Sequence, residues 1–346
     1  MKIVHIIFSF NIGGSETMLV DIVNEQVKGH KVFLFVINST YNIELLSQID
    51  KNVKVILLDR KPSSLNYIPF LKLNYKLLKI NPDVIHCHHH TIVNALFPLW
   101  KNKCLTLHCM GLPTQNLKKY DKVFAISDSV KIEIQERTDV SIDVVSNGIK
   151  ISDIARRELK HYKNDFKIVQ VARLDSDIKG QDIIIKAISL LKNKGIINNA
   201  VVFIGEGKSE NKLKVLAREL GVENQVVFKG ACSRNIIYKN LKNYDLMCHP
   251  ARQEGFGLVV VEGISALLPV LVPNQGGAFE VINQGKYGTV FEDQDPESCA
   301  NKILEIMNTY DVKLQQVIKA FDHINKHYSI NIMVQKYLES YKNDKR

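Results

Sequence analysis

The chain alternates short apolar runs with amphipathic stretches, and it does so twice, with a polar, highly charged break between the two series. That order restricts the fold more than any other feature. From the N-terminus, Ile3 to Ser9 reads as a buried strand, Ser15 to Lys28 as a helix opened by Gly13 and Gly14, and Lys31 to Ile37 as the next strand. Further strands are expected at Val53 to Leu57, Asp83 to His88, Lys103 to His108, Lys122 to Ile126 and Ile142 to Ser146, with helices at Leu65 to Ile80 and Ser127 to Arg137. The break, NGIKISDIARRELKHYKND from Asn147 to Asp165, reads as a linker, and the alternation restarts with KIVQVARL. Strands then follow at Lys167 to Ala172, Ala200 to Ile204, Gln225 to Phe228, Asp245 to Cys248, Pro269 to Val272 and Thr289 to Phe291. Helices are expected at Gln181 to Lys192, Lys208 to Leu220, Asn235 to Leu241, Leu258 to Ala266, Pro296 to Met307 and Ile330 to Tyr341. Alternation of this kind builds a parallel sheet covered on both faces. The expected fold class is α/β, with two Rossmann-like domains facing across a cleft and ligands at the carboxyl ends of the strands.

A chain of 346 residues, 45% hydrophobic, accommodates two cores at about 100 to 200 residues per domain. The boundaries expected are 1–155, 156–325 and a terminal helical segment 326–346. Six cysteines without metal-type CxxC spacing read as reduced thiols of a cytoplasmic protein. Ile3 to Phe8 is too short for a signal-peptide core, and no stretch approaches the roughly 20 apolar residues of a membrane span. The net charge of +10 points to acidic partners. Nucleic acid is disfavoured, because aromatic stacking motifs and binding modules are missing. An anionic membrane surface remains: Lys72, Lys76 and Lys79 lie along one face of the expected helix, with leucines opposite, and Lys118, Lys119 and Lys122 follow nearby.

Chemistry concentrates around EGFGLVVVE, where Glu254 and Glu262 bracket Gly255, Phe256, Gly257 and Leu258. With a helix beginning near Gly257, its N-terminal amides face the loop carrying Glu254, and Glu262 lies about one and a half turns in. Free amides and a positive dipole end suit a phosphate, and two carboxylates suit sugar hydroxyls. The ligand expected is a nucleotide sugar. Arg173 and Lys179, at a strand end and a helix start, would clamp a diphosphate as a planar fork and a point charge. Gly13 and Gly14 allow a ligand to reach backbone amides at the end of the first strand.

Three other patterns compete for attention. Asp175-Ser176-Asp177 and Asp293-Gln294-Asp295 are formal DxD triplets, yet such triplets arise often by chance, and no bound metal is expected. His86 to His90 reads as a polar cleft wall, since consecutive side chains of a strand point to opposite faces and cannot all meet one ion, although His86 and His88 share a face. GEGKSE, from Gly205 to Glu210, lacks the third glycine of a dinucleotide fingerprint, which argues against a nicotinamide enzyme. No resident cofactor is expected, the nucleotide sugar being a substrate.

Over nearly its whole length the chain resembles the retaining glycosyltransferases of family four, whose fold is GT-B and whose signature is Glu-x7-Glu. The likeness extends to bacterial O-antigen and capsular polysaccharide transferases. The resemblance implies that Glu254 holds donor hydroxyls with backbone amides of Gly255 to Leu258, and that Glu262 holds the ribose. It implies that Arg173 and Lys179 neutralise the departing diphosphate without a metal, and that the loop from Lys229 contacts the base. His108, in the Thr-x-His position, becomes the catalytic candidate of the first domain, with Gly13 and Gly14 near the diphosphate and the acceptor. The terminal helix would cross back onto the first domain. Expected partners are a nucleotide-sugar donor, with a UDP-sugar favoured, and a lipid-linked or cell-surface oligosaccharide, such as a lipopolysaccharide O-antigen or capsule unit. That places the protein in the cytoplasm or peripherally on the inner face of the cell membrane. The family commonly has a serine after the proline of this loop, where this chain has Ala251, which leaves a nucleotide-sugar epimerase or a non-catalytic sugar-nucleotide-binding paralogue as alternatives.

Overall fold

Both series of apolar runs form parallel sheets in the computed structural model, which describes residues 1–160, 166–197 and 199–342. The end of the expected linker, 161–165, and the tail 343–346 lie outside the described residues. The first sheet holds β1 (Lys2–Ile7), β2 (Lys31–Asn38), β3 (Lys54–Arg60), β4 (Val84–Cys87), β5 (Lys103–Leu107), β6 (Lys122–Ala125) and β7 (Ile142–Val144). Their order is β3-β2-β1-β4-β5-β6-β7. The second holds β8 (Phe166–Val171), β9 (Asn199–Ile204), β10 (Val226–Phe228), β11 (Leu246–Cys248), β12 (Val270–Pro273) and β13 (Thr289–Phe291), ordered β10-β9-β8-β11-β12-β13.

The inner strands β1, β4, β11 and β12 are buried along nearly their whole length because helices cover both faces, while the edge strands β3, β7 and β10 are partly exposed. In the second unit, Phe166, Ile168, Val201, Phe203 and Leu246 meet Ile184, Ile188, Leu191, Ile303 and Ile306 in one buried cluster. In the first, Leu19, Val20 and Val23 of helix Gly14–Gln26 close over Val32, Leu34 and Val36 of β2. Strand order reverses between β1 and β4 in the first sheet and between β8 and β11 in the second. Connections leave such a pair in opposite directions, so the carboxyl ends open a crevice there.

The chain divides into one unit of Met1–Ile149 with Ser329–Arg346 and another of Lys150–Tyr328. The passage out falls at Ile149 and not at residue 155, for a hydrogen-bonding reason. Ile149 is bridged to Ser329, and its carbonyl accepts from Ile330 N at 2.9 Å, which holds it in the first unit. Beyond it, Ala155 N donates to Tyr238 O and Arg157 N to Ala266 O, which fixes that stretch to the second. The return lies at Ser329 and not at 326, because helix Tyr310–His327, which packs on helix Leu258–Ser265, is continuous to His327 and belongs to the second unit. Helix Tyr310–His327 is absent from the sequence assignment above, although Leu314, Val317 and Ile324 are spaced for one buried face.

Helix Ile330–Lys342 packs on helix Gly14–Gln26 within the first unit. Its Tyr337 and Tyr341 are buried against the sheet, where the Tyr341 hydroxyl meets His86 Nδ1 at 2.5 Å and the Tyr337 hydroxyl meets Thr106 Oγ1 at 3.0 Å.

Candidate functional site

The segments that follow β8 and β11 carry eight of the expected residues, Arg173 and Lys179 after the first and Glu254, Gly255, Phe256, Gly257, Leu258 and Glu262 after the second. From β8 the chain passes Arg173 into the helical turn Ser176–Lys179, then through Gly180 into helix Gln181–Asn193. From β11 it passes His249 and Pro250 into the loop that carries Glu254, and helix Leu258–Ser265 follows. Gly180 has φ +66°, and a Cβ there would lie 2.0 Å from the Pro250 carbonyl oxygen, so only glycine lets these two segments approach. Arg252 then clips them together: its guanidinium forks onto Asp182 at 2.8 and 2.9 Å, and its N–H donates to Ile178 O. A bidentate, partly buried pair fixes direction as well as distance.

Glu254 is where the two segments meet chemically. Its Oε2 accepts from Lys179 Nζ at 2.8 Å and from His249 Nε2 at 2.9 Å. Burial alone would raise this carboxyl, but the hydrogen bond and attraction of His249, followed by those of Lys179, outweigh it and hold the group well below the ordinary carboxylate range. Glu254 is therefore a fixed negative charge at neutral pH. Lys179 in turn is held from behind, since Gln170 Nε2 donates to its carbonyl.

Glu262 is the fifth residue of helix Leu258–Ser265. Its Oε1 accepts from the Tyr238 hydroxyl at 3.0 Å, and Arg234 Nε donates to the same hydroxyl at 2.7 Å. Gly257 opens the helix in the left-handed region at φ +91° with no side-chain cap, leaving its first amides to be satisfied from outside the helix. Phe256 is buried edge-on against Tyr328, and Gly255 and Phe256 lie so close to Gly277 that a Cβ there would sit 2.4 Å from Phe256 Cα. Gly277 N also donates to Glu254 O. The Gly276-Gly277 pair thus shapes the loop from beneath, a role its GG spelling could have signalled as readily as Gly13-Gly14.

Arg173 stands at the rim, its side chain 67% exposed and 3.9 Å from Asp175. Lys229 is exposed beyond β10, its ammonium 5.8 Å from the Tyr244 ring centroid. The DxD triplets are otherwise engaged: Asp175 pairs with Lys208 and Asp177 with Lys212, while Asp295 caps helix Pro296–Asn308 through Glu297 N and Ser298 N.

In the first unit, Gly13 and Gly14 follow β1 and open helix Gly14–Gln26 without a side-chain cap. His108 follows β5, its Nε2 3.1 Å from His88 Nδ1. The HCHHH run divides as the strand period requires: His86 and His88 are buried and stacked at 4.7 Å, while His89 and His90 stack on each other. Unmarked in the sequence, His5 joins this group from β1, with its Nδ1 3.0 Å from His88 Nε2 and its Nε2 2.7 Å from Gln26 Oε1. Strand register explains the meeting, since His5 pairs directly with His86 across β1 and β4.

Residues 12–153 match the model of Glycosyltransferase Family 4, and residues 152–321 that of Glycosyl transferases group 1. The chain is 27% identical over 250 residues to an uncharacterized glycosyltransferase of Methanocaldococcus jannaschii, covering 67% of each. It is 25% identical over 259 residues to a poly(ribitol-phosphate) alpha-N-acetylglucosaminyltransferase of Staphylococcus aureus, covering 74% of this chain and 49% of that one. Among solved structures, Anabaena HepE in complex with UDP superposes with a TM-score of 0.82 at 21% identity, covering 99% of this chain and 100% of that one. The fold is GT-B.

The buried histidines make stability depend on pH. Burial lowers His5 and His108 from 6.5 to about 4, so between those values the unfolded chain binds protons that the native protein refuses. Stability is therefore complete above pH 6.5 and falls on acidification toward 4, by up to about 1.4 kcal/mol per pH unit for each ring. Urea midpoints measured at successive pH values should drop across this window. A midpoint that rose on acidification would contradict the buried neutral rings.

Proposed function

We propose that this chain, a Family 4 glycosyltransferase domain followed by a group 1 glycosyl transferase domain, is a retaining, metal-independent glycosyltransferase that uses a nucleoside diphosphate sugar. The observation that carries the proposal is the Glu254 carboxylate, held ionised by Lys179 and His249 beside an uncapped helix N-terminus that bears Glu262. In this reading Glu254 accepts from the donor's sugar hydroxyls, and the amides from Gly255 to Leu258 receive phosphate oxygens. Lys179 gives one of its three N–H groups to Glu254, which leaves two for the diphosphate. Arg173 closes on the diphosphate from the rim. Glu262 binds the ribose, oriented by Tyr238, and the loop from Lys229 meets the base.

The chemistry asked of these groups is stabilisation of the leaving diphosphate, the larger catalytic contribution where charge develops on a departing group. Neither carboxylate needs to act as nucleophile. Attack from the leaving group's own face, with a phosphate oxygen taking the acceptor proton, retains the anomeric configuration. In the first unit we assign His108 and the Gly13-Gly14 loop to the reaction, on the Thr-x-His position of the one and the strand-end glycines of the other. A UDP-sugar is favoured as donor, in keeping with the UDP bound by the structurally similar HepE.

The acceptor we favour is a lipid-linked or cell-surface oligosaccharide of the lipopolysaccharide or capsule kind, met at the cytoplasmic face of the membrane. No helix among the described residues is long and apolar enough to cross a bilayer. Helix Ile68–Ile80 nonetheless suits its surface. Leu73 and Leu77 are buried, while Ile68, Leu71, Tyr75 and Leu78 stand exposed among Lys72, Lys76 and Lys79. The exposed face is therefore mixed and not purely basic, the pattern of a helix lying in the headgroup layer. Lys118 pairs with Asp139 and Lys122 donates to Ser340 O, so those lysines contribute less than their sequence proximity implied. A nucleotide-sugar epimerase, or a non-catalytic paralogue suggested by Ala251, is the second reading.

Incubation with labelled UDP-sugars and an oligosaccharide-lipid acceptor should yield an α-configured product from an α-linked donor, undiminished by EDTA. An inverted product, or loss with chelator and recovery with manganese, would refute the mechanism; donor epimerised without transfer would favour the second reading. Glu262→Ala should weaken UDP-sugar binding by about 1.5 to 3 kcal/mol in calorimetry, the value of a charge-assisted hydrogen bond. Equal affinity would remove Glu262 from the site. Co-sedimentation with vesicles should rise with anionic lipid and fall both at high salt and when Lys72, Lys76 and Lys79 become glutamate. Indifference to lipid charge would leave that helix as ordinary surface.

A further inference from the structure

Four side chains from four elements of the first unit form one unbroken line of hydrogen bonds. Gln26, at the end of helix Gly14–Gln26, presents Oε1 to His5 Nε2 at 2.7 Å. His5 Nδ1 meets His88 Nε2 at 3.0 Å, and His88 Nδ1 meets His108 Nε2 at 3.1 Å. The line runs from a buried amide to a half-buried histidine at the carboxyl end of the sheet.

A neutral imidazole carries one N–H donor and one lone-pair acceptor, so each contact in such a line can hold only one proton. The amide oxygen of Gln26 can only accept. His5 must then donate from Nε2, which makes its Nδ1 a lone pair, and His88 must donate to that lone pair from Nε2. By the same step His88 Nδ1 is a lone pair, and His108 must donate to it from Nε2. One terminal acceptor thereby decides the tautomer of every ring. Charging a ring would break the sequence, and burial opposes that throughout.

The same rings raise a metal reading, because His5, His86 and His88 each offer a nitrogen within 4.8 Å of the others. The geometry opposes it. His86 gives Nδ1 to the Tyr341 hydroxyl and Nε2 to Thr106 Oγ1, and its ring is stacked on that of His88 at 19°, so their in-plane lone pairs do not converge. His5 and His88 spend their facing nitrogens on each other.

We propose that Gln26, His5 and His88 are positioning residues that fix His108 as a neutral ring protonated on Nε2, so that Nδ1 is presented at the carboxyl end of the first sheet as the acceptor for a ligand hydroxyl. The last clause rests on the glycosyltransferase reading above; the tautomer itself does not. A ring so fixed enters the reaction already in the correct state and needs no proton rearrangement when the ligand arrives.

The test is nitrogen NMR of the full chain labelled with 15N-histidine at neutral pH. His108 should show a protonated Nε2 and a bare Nδ1. His88→Asn retains an oxygen where Nδ1 stood and should preserve that state, whereas His88→Phe should let His108 populate both tautomers and lower kcat by on the order of tenfold with little change in donor KM. Gln26→Leu, at the far end of the line, provides a second variant if His88→Phe does not fold, and should blur the tautomer in the same way. A wild-type His108 protonated on Nδ1, or a tautomer unmoved by His88→Phe and Gln26→Leu, would overturn the proposal. Added Zn2+ that shifts the His5 and His88 signals to metal-bound positions would overturn it in favour of a metal site. A fixed tautomer whose Nδ1 signal ignores saturating UDP-glucose would keep the lock and remove the ligand-hydroxyl role, separating the two claims.

Discussion

Everything proposed for the second unit depends on one carboxylate receiving two cationic or polar donors at one oxygen. Glu254 Oε2 is the point where the segment after β8 and the segment after β11 are joined, through Lys179 on one side and His249 on the other. A buried, unpaired carboxylate would be costly and would neutralise itself, while this one is kept ionised. The backbone makes the arrangement sterically feasible. Gly180 lets Pro250 approach, Arg252 clips the loop to Asp182, and Gly277 leaves room for Gly255 and Phe256. None of these groups needs to touch a ligand to matter, because they decide where the charge stands.

The two units answer the same architectural problem with different chemistry. In each, strand order reverses beside the first strand, and polar groups collect at that reversal. The second unit fills its crevice with opposed charges. The first fills the corresponding region of its sheet with neutral rings, linked by hydrogen bonds and burdened by desolvation if protonated. Charge attracts a phosphate, whereas a directed lone pair suits a hydroxyl.

Much of this was legible in the sequence because it is carried by periodicity and by glycine. The thirteen strands of the two sheets were placed to within a few residues, since runs such as KVFLFVI and AVVFI have no other economical fate than a covered parallel sheet. The start of the helix bearing Glu262 was fixed by Gly257. What was illegible depends on register between distant strands. Nothing near His5 marks it as a partner of His88, because the pairing arises only when β1 and β4 lie side by side. His249 is likewise unmarked in the sequence, and its bond to Glu254 follows from a loop path that composition does not encode. Helix Tyr310–His327 is a different case, since its apolar spacing was present but its polar surroundings diluted it.

The return of Ile330–Lys342 to the first unit has a consequence for how the chain is made. Tyr337 and Tyr341 supply hydroxyls to Thr106 and to the buried His86, so the first sheet cannot satisfy its own interior until the helix Ile330–Lys342 has left the ribosome. The second unit, contiguous from Lys150 to Tyr328, has no such dependence and can complete its core while the earlier-made strands still wait for their last helix. Synthesis order and folding order are thus opposed for these two units: the one translated earlier is finished later, and during that interval the hydroxyl partners of His86 and Thr106 are still to come.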